Sequence, residues 1–176
     1  GIANKLVSFI MLVPSSLMQS MSSFVSQNYG AGRERRARRS MLCGMAIGAS
    51  VGVVIALFAF FEGDFMSMAF TEDAAYIEQS AAYLKGFAAE AVVTSFLFSF
   101  IGYFNGHGQT LFVMIQGLSQ TFLVRLPVSY IMSVQPEASL AMIGLAAPGA
   151  TVFGILLNLV YYLIYTKKHP AERLET

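Results

Sequence analysis

Apolar residues in this chain occur in long blocks that approach or exceed the ~18–20 residues needed to cross a lipid bilayer. Only 12% of the residues are charged, whereas soluble domains carry about 25%. The mean hydropathy of +0.61 agrees with a surface that faces lipid. Because the charges are too scarce and too clustered to build a polar shell, the sequence predicts an all-α membrane protein of about five transmembrane helices.

The predicted spans cover about 2–28, 40–61, 80–104, 110–132 and 140–165. Residues 1–165 are interpreted as one domain or part of one, and residues 166–176 as a polar tail. The chain begins at Gly1 without Met, inside an apolar run and with no signal-peptide pattern. We therefore expect it to be cut from a longer protein.

Proline and glycine residues predict local features of the first two spans. Pro14 predicts a kink in the first span, because proline lacks a backbone donor. Gly44, Gly48 and Gly52 recur at every fourth position of the second span and predict a smooth face for close helix packing. Residues 62–79, between the second and third spans, form an acidic, amphipathic segment.

Basic residues predict the orientation of the chain. Five arginines lie at 33–39 after the first span, and Lys167 and Lys168 follow the last span. Alternating crossings place both basic regions on one side, which the positive-inside rule makes the cytoplasm. The C-terminus is thus expected to be cytoplasmic, in a plasma membrane protein. The arginine cluster is expected to contact anionic lipid head groups rather than nucleic acid.

Two ionisable residues, Glu90 and Arg125, lie deep within predicted spans. Both are roughly 25–27 Å from the turn near His107 along their helices, so they share a similar depth. A charge at that depth requires a partner, water or a function. Two interpretations stay open: an ion pair between neighbouring helices, or binding of a proton or sodium ion by Glu90.

Uncharged polar residues accompany them on the third, fourth and fifth spans. Thr94 lies one turn after Glu90, Gln116 and Gln120 are spaced i, i+4, and Asn158 lies within the last span. Each is suited to an interhelical hydrogen bond, and together they favour a polar cavity.

Other chemistry has little support in the sequence. Cys43 is the one cysteine, which excludes an intrachain disulfide and leaves no metal-ligand spacing. His107 and His169 are isolated in a turn and a tail, and no nucleophile–base pattern occurs. We therefore expect neither an enzyme nor a cofactor or metal site.

A set of short motifs along the chain resembles the multidrug and toxic compound extrusion (MATE) family. Its main motif comprises Gln27, Asn28, Gly30, Ala31 and Gly32, followed by arginines. Further matching segments are residues 70–73, 83–85, 102–110, 124–130 and 143–145.

The resemblance implies a twelve-helix transporter with two six-helix lobes. This chain would supply helices eight to twelve, without the first lobe and helix seven, and would need that lobe as a partner. The family exports amphipathic, mostly cationic drugs in exchange for sodium ions or protons by alternating access. The coupling role of an acidic residue in helix ten would fall on Glu90.

Two alternative functions remain open from the sequence. A lipid-linked or polysaccharide flippase of a related superfamily would need several cationic cavity residues for phosphate, and only Arg125 qualifies. A channel or non-transporting membrane subunit would need repeated rings of polar residues lining a pore, and the sequence contains no such rings.

Overall fold

The computed structural model describes residues 8, 11–61, 90, 92–134 and 146–169. Within these residues the chain forms five helices and no strand: α1 (Leu12–Gly30), α2 (Glu34–Phe61), α3 (Val92–Gly106), α4 (Thr110–Ser133) and α5 (Ala146–Lys168). Helices α2, α4 and α5 are long and apolar enough, by length and composition, to cross a membrane. The all-α membrane fold predicted from the sequence is confirmed.

Helix α2 begins earlier than the sequence predicted. It starts at Glu34 rather than near Ser40, so the clustered arginines occupy its first two turns and not a loop. Arginine has a high helix propensity, and the carboxylate of Glu34 suits the positive end of the helix dipole. Helix α4, at Thr110–Ser133, agrees closely with the predicted span of 110–132.

Several predictions fall outside the described residues. They concern most of the first span before residue 11, the acidic segment 62–79, the first part of the third span, the start of the fifth span at 140–145, the polar tail beyond 169, and the motif segments 70–73, 83–85 and 143–145. Pro14 itself lies in the first turn of α1, where a helix needs no N–H donor from it.

The turn between α1 and α2 is a Schellman motif. The Gly32 N–H donates to the Tyr29 carbonyl over 3.0 Å, and the Arg33 N–H donates to the Asn28 carbonyl over 2.8 Å. Gly32 adopts φ of 72°, a left-handed conformation that side chains disfavour. The Gly-Ala-Gly sequence therefore ends α1 and reverses the chain within a few residues.

The turn between α3 and α4 repeats this geometry. Gly108 has φ of 73°, and its N–H donates to the Asn105 carbonyl over 3.0 Å. The Gln109 N–H donates to the Phe104 carbonyl over 2.9 Å. Two Gly-x-Gly sequences thus produce two helical hairpins of the same kind.

Side-chain contacts bring both turns and the end of α5 together. Glu34 at the start of α2 hydrogen-bonds His107 in the α3–α4 turn. The Arg38 Nη2 donates to the His169 carbonyl, at the C-terminal end of α5, over 2.9 Å. We call this region the arginine-rich end. Its composition agrees with the alternating crossings predicted from the basic residues.

Glycines provide the close approach between α1, α2 and α3. A Cβ atom at Gly48 would lie 3.0 Å from the Ser95 Cβ, and one at Gly106 would lie 2.6 Å from the Val25 Cβ. Gly44 packs against the Met21 side chain. The packing role predicted for the glycines of α2 is therefore present at Gly44 and Gly48.

Aromatic residues fill the core near the arginine-rich end. Tyr103 and Phe104 of α3 are fully buried. The Phe104 ring lies edge-on to Tyr161, and Tyr161 stacks on Phe112 with ring centroids 3.7 Å apart. These rings fix α3 against α4 and α5, which carry the remaining polar residues.

A π-helical segment at Gln120–Arg125 interrupts α4. The Leu126 N–H donates to the Thr121 carbonyl, five residues earlier. Pro127 follows directly, and its ring has no N–H and needs room beside the preceding turn. The wider segment supplies that room, and π segments of this kind are frequent at functional sites.

Candidate functional site

Glu90, which precedes α3 in the chain, is a buried carboxylate that contacts two threonine hydroxyls. Its Oε1 accepts hydrogen bonds from the Thr94 hydroxyl over 3.0 Å and from the Thr151 hydroxyl of α5 over 2.7 Å. Its Oε2 is buried and has no hydrogen-bond partner. The side chain therefore has one satisfied oxygen and one that lacks a donor.

Gln116 and Gln120 of α4 face the same helix, α5. The Gln116 Nε2 donates to the Gln120 Oε1 over 2.7 Å, and the Gln116 Oε1 is buried without a partner. Both amides lie against Gly154, where a Cβ would sit 2.8 Å from the Gln116 Nε2. Gly154 therefore leaves space for the two glutamine side chains between α4 and α5.

Asn158 completes a polar stripe on α5. Its Nδ2 donates to the Gly154 carbonyl over 2.7 Å, while its Oδ1 is fully buried and unpartnered. Thr151, Gly154 and Asn158 follow a helical repeat that places them on one side of α5. We call these three residues the α5 stripe.

The buried atoms without a partner in the described residues are all oxygens: Glu90 Oε2, Gln116 Oε1 and Asn158 Oδ1. An unsatisfied buried polar atom costs about 1–3 kcal/mol, and more when it is charged. Oxygen acceptors are the ligands that hard cations prefer, and a carboxylate oxygen can also take a proton. The Glu90 Oε2 is thus chemically suited to take a proton or to contact a small cation.

Arg125 does not join this cluster through an ion pair. It lies at the end of the π segment with an exposed side chain. In the described part of the chain, the salt bridges join Glu34 to Arg38 and to His107. The structure therefore places two threonine hydroxyls within hydrogen-bond distance of Glu90, and no salt bridge joins Glu90 to Arg125.

A second buried cluster surrounds Glu34 at the arginine-rich end. The Glu34 side chain is 1% exposed. Its Oε1 accepts hydrogen bonds from the Tyr103 hydroxyl over 2.6 Å and from the Arg38 Nε over 3.0 Å. Its Oε2 lies 2.7 Å from the His107 Nε2. Glu34 therefore joins α2 to α3 and to the turn that follows α3.

His107 is isolated in the sequence and Glu34 lies within the arginine run, so the predictions from the sequence do not include this cluster. A signal was nevertheless available. The predicted alternation of spans placed both turns on one side, and Glu34 is the one acidic residue among the arginines there. An acid amid cations and a histidine at the same membrane end are compatible charge partners.

The family motif residues have a structural role at the α1–α2 turn. The Gln27 carbonyl accepts the Ala31 N–H over 3.1 Å, and the Asn28 Nδ2 donates to the Phe24 carbonyl over 2.7 Å. Gly30 and Gly32 flank Ala31, and only Gly32 has positive φ. The motif thus builds the helix end that presents Glu34.

No group of histidine, cysteine, aspartate and glutamate residues with the geometry of a metal site occurs among the residues that the structure describes. Cys43 is exposed on α2. The clusters described above instead contain oxygen acceptors in one case and a hydrogen-bonded charge network in the other.

Apolar helices that bury polar side chains between them define this chain as a multi-pass membrane protein. The MatE family model matches residues 1–131, and the chain belongs to the MatE family. MatE is a family of transporters rather than enzymes, which confirms the resemblance drawn from the motif residues. Comparison with curated proteins found no match.

Proposed function

We propose that this chain is the larger part of the C-terminal lobe of a secondary active multidrug exporter. In this proposal it supplies helices eight to twelve of twelve, and alternating access requires the other lobe. The transported compounds are amphipathic and mostly cationic, and they leave in exchange for sodium ions or protons. The exporter lies in the plasma membrane with the C-terminus of this chain in the cytoplasm.

The observation that supports this proposal best is the unpartnered Oε2 of Glu90. An ionised carboxylate held away from water needs charge compensation. Two hydroxyl donors reach its other oxygen, and no cationic side chain pairs with Glu90 among the described residues. A bound cation supplies the missing charge, and its release leaves a carboxylate that favours rearrangement of the surrounding helices.

The same geometry accommodates either coupling ion. A proton needs only the Glu90 Oε2, where it converts an unpaired acceptor into a donor. A sodium ion needs several oxygens, and the Glu90 carboxylate and the hydroxyls of Thr94 and Thr151 lie together as a first set. The proposal therefore names Glu90 as the coupling residue and leaves the ion to experiment.

Efflux of a cationic dye from cells that carry the full-length protein tests this role. Glu90→Gln keeps the size of the side chain but removes the charge, and we expect it to abolish ion-dependent efflux. Thr121→Val serves as a control, because that exposed hydroxyl donates only to the Gly117 carbonyl on its own helix. If Glu90→Gln exports dye with unchanged dependence on sodium and pH, the coupling role is wrong.

A further inference from the structure

The Glu34–His107 pair is separate from the Glu90 cluster and has its own chemistry. His107 lies about 25 Å along α3 from Glu90. The Glu34 and His107 side chains are both buried, and they join the start of α2 to the turn after α3. Nothing in the exchange mechanism proposed for Glu90 uses this pair.

Hydrogen-bond partners determine where the protons of His107 lie. The His107 Nδ1 is 2.9 Å from the Tyr103 carbonyl oxygen, which can only accept, so Nδ1 carries a hydrogen. The His107 Nε2 is 2.7 Å from the Glu34 Oε2. That second contact requires one proton between the two atoms, since two bare acceptors at this distance repel each other.

The other oxygen of Glu34 favours the charged form of the pair. The Tyr103 hydroxyl and the Arg38 Nε both donate to the Glu34 Oε1, and such donors stabilise an ionised carboxylate. The shared proton therefore belongs on the His107 Nε2, which makes the ring an imidazolium. The rings of Tyr29 and Tyr103 lie with their centroids 4.4 and 4.2 Å from that of His107, and aromatic faces attract cations.

Ionisable groups approach the pair from every helix packed around it. Arg38 comes from α2, and the tyrosines come from α1, α3 and α5; they are Tyr29, Tyr103, Tyr162 and Tyr165. Tyrosine and arginine keep their charge state throughout the neutral pH range, whereas histidine changes its charge there. His107 is thus the group of this cluster that can hold and release a proton at Nε2 while Nδ1 keeps its hydrogen.

We propose that Glu34 and His107 form a second proton-binding site, at the arginine-rich end, whose bound proton holds α2 to the α3–α4 turn. With the proton present, the His107 Nε2–H donates to the Glu34 Oε2. When the proton leaves for water, Nδ1 keeps its hydrogen on the Tyr103 carbonyl, and the Nε2 lone pair faces the carboxylate. Contact between α2 and the turn then weakens.

The release extends to α5 through Arg38. Arg38 donates from Nε to Glu34 and from Nη2 to the His169 carbonyl at the end of α5. A Glu34 side chain that moves away from His107 shifts this guanidinium, which links the two helix ends. Low pH therefore strengthens the junction of α2, α3 and α5, and rising pH loosens it.

Nitrogen NMR of the full-length protein labelled with ¹⁵N-histidine tests the site without any change near it. The His107 signals are assigned as those lost in His107→Gln, and His169→Gln identifies the signals of the exposed His169 at the end of α5. We expect an imidazolium at low pH that converts, as pH rises, to the neutral form with hydrogen on Nδ1. A neutral form with hydrogen on Nε2, or a neutral ring at all pH values, would overturn the proposal.

Thermal unfolding of variants tests the consequence for the helix junction. Glutamine at position 107 keeps an N–H donor that does not titrate. The unfolding midpoint of each protein is measured at pH 6 and at pH 8.5. Over this range we expect the midpoint of the unmodified protein to fall by at least ~2 °C more than the midpoint of His107→Gln. The matched control His169→Gln keeps the backbone carbonyl that Arg38 contacts, so it should retain the pH dependence that arises at His107.

Two results would contradict this second expectation. One is a His107→Gln protein with the same pH dependence as the unmodified protein; the other is loss of that dependence in His169→Gln. Glu34→Gln should also remove the pH dependence, since a neutral partner no longer favours the imidazolium. If either variant at position 34 or 107 fails to fold, the NMR measurement on the unmodified protein decides the matter. Neither assay depends on drug efflux or on Glu90.

Discussion

Gly106 is a point of close approach between α3 and α1, and the addition of one methyl group there tests the packing of the bundle. A Cβ would lie 2.6 Å from the Val25 Cβ and 2.9 Å from the Ser22 carbonyl oxygen. Favourable carbon–carbon contacts begin near ~3.5 Å, so α3 must move away from α1 by about 1 Å. Both Val25 and the Ser22 backbone belong to the ordered middle of α1, which leaves little freedom to yield.

The size of the effect follows from two opposing terms. Overpacking of a close contact costs about 1–3 kcal/mol. The higher helix propensity of alanine offsets up to ~1 kcal/mol of this cost. We expect Gly106→Ala to lower the free energy of unfolding by about 1–2 kcal/mol.

Gly117 on α4 provides the matched control. Nothing lies within 4 Å of a Cβ placed there, so Gly117→Ala adds a methyl group without a clash. Only the helix-propensity term applies, and we expect the free energy of unfolding to stay the same or to rise by up to ~1 kcal/mol. Gly106→Ala should therefore lower the free energy of unfolding, whereas Gly117→Ala should leave it unchanged or raise it.

The assay is thermal unfolding of the purified full-length protein in one detergent, followed by the far-ultraviolet circular dichroism of its helices. We expect the midpoint order Gly106→Ala, unmodified protein, Gly117→Ala, from low to high, with the last two equal or nearly so. A Gly106→Ala protein that unfolds at or above the midpoint of the unmodified protein would refute the close α1–α3 contact. Because α3 carries Thr94, which donates to Glu90, and leads into the turn with His107, that result would also remove the basis for both clusters.

Three further changes test other parts of the molecule. Glu34→Ala leaves the His107 ring, the Tyr103 hydroxyl and the Arg38 guanidinium without their shared carboxylate. We expect a loss of about 3–5 kcal/mol in unfolding experiments, whereas an unchanged stability would show that Glu34 is not buried. Gly108→Ala forces a side chain into positive φ, and circular dichroism melts should show a loss of about 1–2 kcal/mol. Thr151→Val removes a donor to Glu90, and dye efflux should fall by at least ~10-fold, with Thr121→Val as the unaffected control.

The hairpins could be predicted from the sequence because their causes are local. Each pair of glycines ends one helix and starts the next within a few residues, whatever surrounds it. The glycine repeat of α2 likewise indicated a packing face, because a helix places every fourth residue on one side. The start of α2 could not be placed from charge alone, since arginines occur both in loops and in helix turns.

The partners of Glu90 depended on the arrangement of the helices. The sequence placed Glu90 and Arg125 at similar depth, which made an ion pair one of two interpretations. In the structure Arg125 is exposed on its helix, and the hydroxyl of Thr151 on α5 reaches Glu90 instead. Depth follows from counting residues, whereas the rotation of each helix about its axis follows from packing.

The long blocks of apolar residues by themselves determined that lipid is the solvent for this chain and that its backbone forms helices, because hydrocarbon offers no partners for free peptide groups. The positions of the basic residues add a prediction of how the crossings alternate. Only the tertiary structure decided which polar side chains meet, as for Glu90 with Thr151 and Glu34 with His107. Such pairs are far apart in the chain, and their contact depends on helix rotation and spacing that no local pattern sets.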